Sequence, residues 1–117
     1  MLAAQYRFHG HRSLSFLFRH GETARRKMLS LKYVHNPRRA TSRCAIVVGR
    51  KVSKSAPVRN RIRRRIYEIV RQHWNDLHSG YDIVFFVYDD SVATMPHKEL
   101  EELIVGLLAD AHILVRL

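Results

Sequence analysis

The sequence predicts an α+β domain, a small sandwich of helices packed on a sheet, and three observations carry that prediction. Residues 29–33 alternate, with Leu29, Leu31 and Tyr33 on one side and Ser30 and Lys32 on the other, the period of a half-buried strand. Two short apolar runs, Cys44 to Gly49 and Tyr81 to Tyr88, are bounded by turn residues, as buried strands are. Two other segments space their apolar residues three and four apart: Ile62, Ile66, Ile69, Val70 and Leu77, then Leu100, Leu103, Ile104, Leu107, Leu108 and Ala111. Those are the buried stripes of helices.

The elements follow in order. The first dozen residues show no clear period and are expected to form a partly ordered basic arm. Ser13 is the expected N-cap of a short helix, Leu14 to His20, closed by Gly21 where a left-handed residue is cheap. Leu14, Leu17 and Phe18 share one face of it. The strand from Lys27 to His35 ends at the turn Asn36-Pro37-Arg38-Arg39, and a second strand follows at Cys44 to Gly49. After the basic loop Lys51 to Pro57, the longest helix is expected to run to about Leu77, broken by Ser79-Gly80. The strand Tyr81 to Tyr88 has the apolar content of a central position. A last helix starts near Pro96, with Glu99, Glu101 and Glu102 in its opening turns complementing the helix dipole.

With 117 residues, 46% of them hydrophobic, the chain is expected to form one domain with one core. Its net charge is +11, unevenly placed. Residues 1–78 carry 19 basic and 3 acidic side chains, net +16, and residues 79–117 carry 2 basic and 7 acidic, net −5. One half is built to meet a polyanion and the other to complete the fold. No apolar run approaches the roughly 20 residues that span a bilayer, and Met1 opens no leader or lipidation signal. The single Cys44 excludes an internal disulfide framework and fits a reducing cytoplasm. The expected localisation is therefore cytoplasmic, with no membrane partner.

The long helix opens on Arg59-Asn60-Arg61-Ile62-Arg63-Arg64-Arg65, five arginines in seven residues. At 100° per residue, Asn60, Arg64, Tyr67, Arg71 and His78 fall on one polar stripe, flanked by Arg61, Arg65 and Arg63. Like charges at Arg59/Arg63 and Arg61/Arg65 repel by a few tenths of a kcal/mol per pair, roughly, with few acids nearby to offset them. That arrangement points to an external anion. Arginines on a packed helix, with the helix N-terminus beside the Lys51 to Pro57 loop, suit phosphate.

The run Val48-Gly49-Arg50-Lys51-Val52-Ser53-Lys54-Ser55-Ala56-Pro57-Val58-Arg59-Asn60-Arg61-Ile62-Arg63-Arg64-Arg65-Ile66 closely resembles the signature of the bacterial ribonuclease P protein subunit. Leu14-Ser15-Phe16-Leu17-Phe18-Arg19-His20-Gly21 looks like that family's first helix, Tyr81 to Val87 its last strand and Glu99 to Leu108 its last helix. The resemblance implies a four-stranded, mostly antiparallel sheet in the order αβββαβα, with an unusual left-handed strand-helix-strand crossover. The fourth strand would lie around Thr23 to Lys27 or within a break in the first long run.

The resemblance also implies a function. The protein would be the protein component of an endoribonuclease that removes the 5′ leader of precursor tRNA, a monomer within a ribonucleoprotein. The RNA subunit would perform the hydrolysis, with Mg2+ at the RNA active site and no catalytic residue, metal or cofactor on the protein. By motif, Arg59, Asn60, Arg61, Arg63 and Arg64 would contact the ribonuclease P RNA, helped by Arg50, Lys51 and Lys54, with Tyr67 at a position where relatives often carry a basic residue. Leu14 and Phe18, with Leu31 or Tyr33, would line a cleft for the single-stranded leader. Leu14 stands where the family often has an aromatic.

Other chemistries find less support. His9 and His11 are the only closely spaced histidine pair and lack a neighbouring carboxylate or cysteine. Cys44 has no Cys-x-x-Cys partner, and Asp89-Asp90 reads as an acidic turn. His73, on the apolar stripe, reads as a core histidine. The competing function is a structural RNA-binding protein of the ribosome or its assembly. A DNA-binding helix-turn-helix spacing is missing.

Overall fold

The computed structural model describes residues 11–38 and 40–115. Its elements are α1 (His11–His20), β1 (Glu22–Arg26), β2 (Leu29–His35), β3 (Arg43–Val48), α2 (Ala56–Gln72), β4 (Tyr81–Val87) and α3 (His97–Asp110), with 3-10 turns at Trp74–Asp76 and Asp90–Ala93. This is the expected order αβββαβα. The expected N-terminal arm falls largely on residues 1–10, outside the described residues.

One mixed sheet has the strand order β1-β2-β4-β3. β1 pairs antiparallel with β2, and β2 antiparallel with β4, Leu29 facing Val87 and His35 facing Tyr81. β3 and β4 run parallel around α2, Arg43 beside Asp82 and Val48 beside Val87. The apolar run of β4 thus occupies the central position its composition predicted. The fourth strand is β1, where Glu22 to Arg26 turns back through Lys27 and Met28. Its residues ETARR are mostly exposed, so it carries no apolar alternation to read. Met28, at φ 70°, makes that tight turn possible.

The pleat sends alternate residues to opposite faces. One face carries Leu29, Leu31, Cys44, Ile46, Val48, Ile83, Phe85 and Val87 against Ile62, Ile66, Ile69 and Val70 of α2 and Leu100, Ile104, Leu107 and Leu108 of α3. The other face carries Val34 and Val84 against Leu17 of α1, with Leu14, Ala45 and Phe86 around them. α1 covers only part of this second face. Truncating a buried Ile or Leu of the main layer to Ala is expected to cost about 2–5 kcal/mol.

Two ion pairs brace the fold, one within the sheet and one between the sheet and α3. Asp82, 2% exposed, accepts two hydrogen bonds from Arg43 at 2.9 and 3.0 Å across the β3–β4 register pair. Arg26 of β1 reaches Asp110 of α3 at 2.9 and 3.0 Å, its guanidinium lying over Gly106, where a Cβ would meet it at 2.9 Å.

Several boundaries differ from expectation. α1 begins at His11, so Ser13 lies inside the helix. Gly21 is not left-handed; its N–H donates to the Leu17 carbonyl at 2.7 Å, and a Cβ there would sit 2.4 Å from that oxygen. Close approach, not φ, requires the glycine. α2 stops at Gln72 because the chain after His73 turns to meet the segment beyond α3: Leu77 bridges Leu114, and the His78 N–H donates to the Ile113 carbonyl at 2.8 Å. His73 is only partly buried, its Nε2 3.5 Å from Glu101 Oε2 and its Nδ1 4.0 Å from Asp76 Oδ2.

Candidate nucleic-acid interface

The entrance of α2 is built by its cap. The Ser55 hydroxyl accepts a hydrogen bond from the Val58 N–H at 3.3 Å, and Pro57 occupies the first turn, where it forfeits no helical bond. The strand end and loop before it bring Arg50, Lys51 and Lys54 to one open cavity with Arg59. Arg59 is steadied there by donating to the Ser53 carbonyl at 2.9 Å. Arg63 donates to Asn60 Oδ1 at 2.9 Å and to the Val48 carbonyl at 3.4 Å, tying the helix to the end of β3. Arg64 is exposed on the helix surface. Four of the nine expected RNA-binding residues, Arg50, Lys51, Lys54 and Arg59, thus line one cavity at the helix entrance, and Asn60, Arg63 and Arg64 follow in the next turns of α2.

The remaining two differ. Arg61 is exposed but turns the other way and donates through Nε to the Ala93 carbonyl at 2.8 Å, so one of its donors is already engaged. Tyr67 is 8% exposed and belongs to the main core. An ideal helical wheel put it on the polar stripe, but the neighbouring layers reach around the helix and cover it.

The second candidate site is the uncovered part of the α1-side sheet face. Phe18, Thr23, Arg25, Ser30, Lys32, Phe86 and Tyr88 line one groove. Phe18 and Phe86 are inclined at 47° with ring centres 6.1 Å apart, and Lys32 Nζ lies 5.5 Å from the Phe18 ring centre. The Ser30 and Tyr88 hydroxyls are 2.8 Å apart. Val47, 39% exposed, is the register partner of Phe86 and stands three residues before Arg50. β3 thus runs beside Phe86 of the groove and leads in sequence to the loop that carries Arg50 and Lys51.

Two of the four expected cleft residues are corrected by the pleat. Leu31 is fully buried on the α2/α3 face, and Tyr33 packs against that same core. They share parity with Leu29, so they cannot line the groove that Ser30 and Lys32 face. Phe18 does line it, and Leu14 sits beside it in the smaller core. Lys32, Phe86 and Tyr88 were missed. The alternation of β2 already put Lys32 on the face opposite Leu31, and that parity was the available signal.

Cys44 is fully buried, and desolvation pushes its thiol far above the usual range, which leaves it without thiolate character. Asp89 accepts from the Ser91 N–H at 2.8 Å, and the hydrogen bonds from Ser91 hold its carboxyl below its ordinary pKa. It is occupied as the cap of a 3-10 turn. Among the described residues no group of three His, Cys, Asp or Glu is placed to hold a metal ion. No described helix is long and apolar enough to cross a membrane.

Known proteins agree with this architecture. The family model described as Ribonuclease P matches residues 2–112. A ribonuclease P protein component of Pseudanabaena is 35% identical over 97% of both chains. One from Chloroflexus aurantiacus is 43% identical over 66% of this chain and 56% of its own. Among solved structures, the ribonuclease P protein of Staphylococcus aureus superposes with a TM-score of 0.82 at 19% identity, over 93% of this chain and 97% of that one. That of Thermotoga maritima gives 0.79 at 24%, over 89% and 96%. These two share the fold, and the sequence match over nearly the whole chain carries the rest: the chain belongs to the ribonuclease P protein family.

Proposed function

We propose that the chain is the protein subunit of a ribonuclease P, binding the catalytic RNA through the α2 entrance and the 5′ leader of precursor tRNA along the sheet groove. The observation that carries this reading is that one small fold holds both a cationic helix entrance and an aromatic-lined groove. Phe18 and Phe86 offer faces on which unpaired bases can stack, and Lys32 and Arg25 offer charge for the strand between them. Val47 then leads to Arg50, Lys51, Lys54 and Arg59, where phosphate contacts need no base sequence. A purely structural RNA-binding protein would need the arginines but not the groove.

The hydrolysis falls to the RNA. Cys44 is inaccessible and Asp89 is a cap, so the protein's part is binding and positioning. Mg2+ would act at the RNA active site, held by the RNA, and the protein would work as a monomer within the ribonucleoprotein. The test mixes purified protein with a bacterial ribonuclease P RNA and a precursor tRNA, and compares cleavage at low magnesium with and without protein. Faster cleavage, with tighter binding of precursor than of mature tRNA, is expected. Tight RNA binding with no gain in cleavage and no such preference would favour the ribosomal or assembly role.

A further inference from the structure

Arg61 and Arg65 lie one turn apart on the side of α2 that faces the connection between β4 and α3. Three backbone carbonyls of that connection accept from them. Arg65 donates through Nη1 to Val92 at 2.6 Å and through Nη2 to Met95 at 2.5 Å, and Arg61 donates through Nε to Ala93 at 2.8 Å. Val92, Ala93 and Met95 are 0, 5 and 8% exposed, so these carbonyls have little water to turn to. Arg65 spends both ends of its fork as a clip across the 3-10 turn. Among the described residues Arg61 donates through Nε alone, which restrains its guanidinium and leaves both terminal nitrogens as donors. Neither arginine makes an ion pair with a carboxylate among the described residues. Burial first, and the charge of Arg61 second, depress the Arg65 pKa, as two uncompensated cations side by side require.

We propose that Arg65 is a positioning residue for RNA binding: it clips residues 92–95 to α2, so that the Ala93 carbonyl holds Arg61 with its terminal nitrogens free for an RNA phosphate. Arg65 itself touches no RNA. The inference rests on the proposed function, in which α2 presents its arginines to RNA on the Arg61 flank as well as at the entrance. A lysine at this position keeps the charge, but its single ammonium on a flexible stem cannot reproduce the planar two-carbonyl clip.

The experiment measures affinity for a bacterial ribonuclease P RNA against salt concentration, with a thermal melt of each variant. The variants are Arg61→Ala, Arg65→Lys, Arg65→Leu, Arg64→Ala and the double Arg61→Ala with Arg65→Lys. Arg65→Lys is expected to weaken binding about tenfold, the loss of one charge-assisted hydrogen bond. Its salt slope should fall by about 0.7–0.9, one phosphate contact. The double variant should bind no more weakly than Arg61→Ala. Native affinity and slope in Arg65→Lys, or additive losses in the double variant, would overturn the proposal in favour of a charge or contact effect. Arg65→Leu gives the same comparison if Arg65→Lys melts below the assay temperature, and unfolding of both would reduce Arg65 to a structural staple. Arg64→Ala separates the two levels of inference. If Arg61→Ala and Arg64→Ala both bind normally, the RNA-binding reading of the α2 arginines fails; if they are impaired while Arg65→Lys is normal, only the clip fails.

Discussion

Phe18 is 55% exposed although it shares a helix face with fully buried Leu17. Phe86 and Lys32 stand beside the ring, and all three line the groove. An aromatic ring kept in water beside a cation is better explained by a ligand than by packing. Phe18→Ala should therefore lower the melting temperature only slightly. It should weaken precursor tRNA binding to the holoenzyme by roughly tenfold, in line with about 1–3 kcal/mol per stacked base, and leave mature tRNA nearly unaffected. A stable variant with an unchanged precursor-to-mature ratio would remove Phe18 from the leader site. Tyr67 shows the opposite pattern. Buried in the main core, Tyr67→Ala is expected to cost about 3–5 kcal/mol of stability, with an unchanged salt slope of RNA binding wherever it remains folded. Cys44, sealed in the same layer, should resist thiol reagents until the protein is unfolded; labelling of the native protein at the rate of a free thiol would contradict its burial.

At the scale of elements, α2 joins core and interface in one helix, and its entrance is more tightly knit than a solvated basic face. Arg59, Arg61 and Arg63 each donate to a backbone carbonyl of another segment. Neutralising Arg59, Arg61, Arg63 and Arg64 together should thus depress the melt, at about 0.5–1.5 kcal/mol per hydrogen bond lost, without unfolding a core it does not touch. RNA affinity should fall far more, and its salt slope by about 0.7–0.9 per contact removed. An unchanged slope would dissociate these arginines from phosphate. What the sequence revealed of this helix follows from local physics: the stripe Ile62, Ile66, Ile69 and Val70 is buried as its period predicts. What it hid was tertiary. The end of α2 is set by the pairing of Leu77 with Leu114, far away in sequence, and Arg61 is drawn to a carbonyl 32 residues on. β1 falls where the family resemblance put the fourth strand, around Thr23 to Lys27, but the apolar pattern alone does not reveal it, because ETARR is an exposed edge held by Leu29-to-His35 next to it rather than by its own apolar face. The cleft was half legible, since the alternation of β2 separates Lys32 from Leu31, but which face α1 leaves open depends on where Leu17 docks against Val34 and Val84.

The molecule as a whole is electrically lopsided, +16 over residues 1–78 and −5 over residues 79–117. The sheet places that asymmetry in space. Lys32 and Arg25 line the groove on the α1 side of the sheet, while Glu99, Glu101 and Glu102 lie on α3, which shares the layer on the other face with α2. A body with this net positive charge is drawn towards an RNA by its field before contact. The same cations can replace part of the counterion atmosphere that folded RNA and its substrate draw from solution. The expected consequence is a dependence on magnesium: the protein should accelerate precursor cleavage most where Mg2+ is scarce, and its advantage should shrink as Mg2+ rises and screens the same phosphates. Protein without RNA should cleave nothing at any magnesium concentration. Rate measurements across a magnesium titration, with native protein and with the four-arginine variant, decide the matter. A protein advantage that does not vary with magnesium, or that survives in the variant, would mean that its help does not come from charge brought to the RNA. Cleavage by protein freed of RNA, lost on Asp89→Asn with Asp90→Asn, would move the chemistry onto the protein itself.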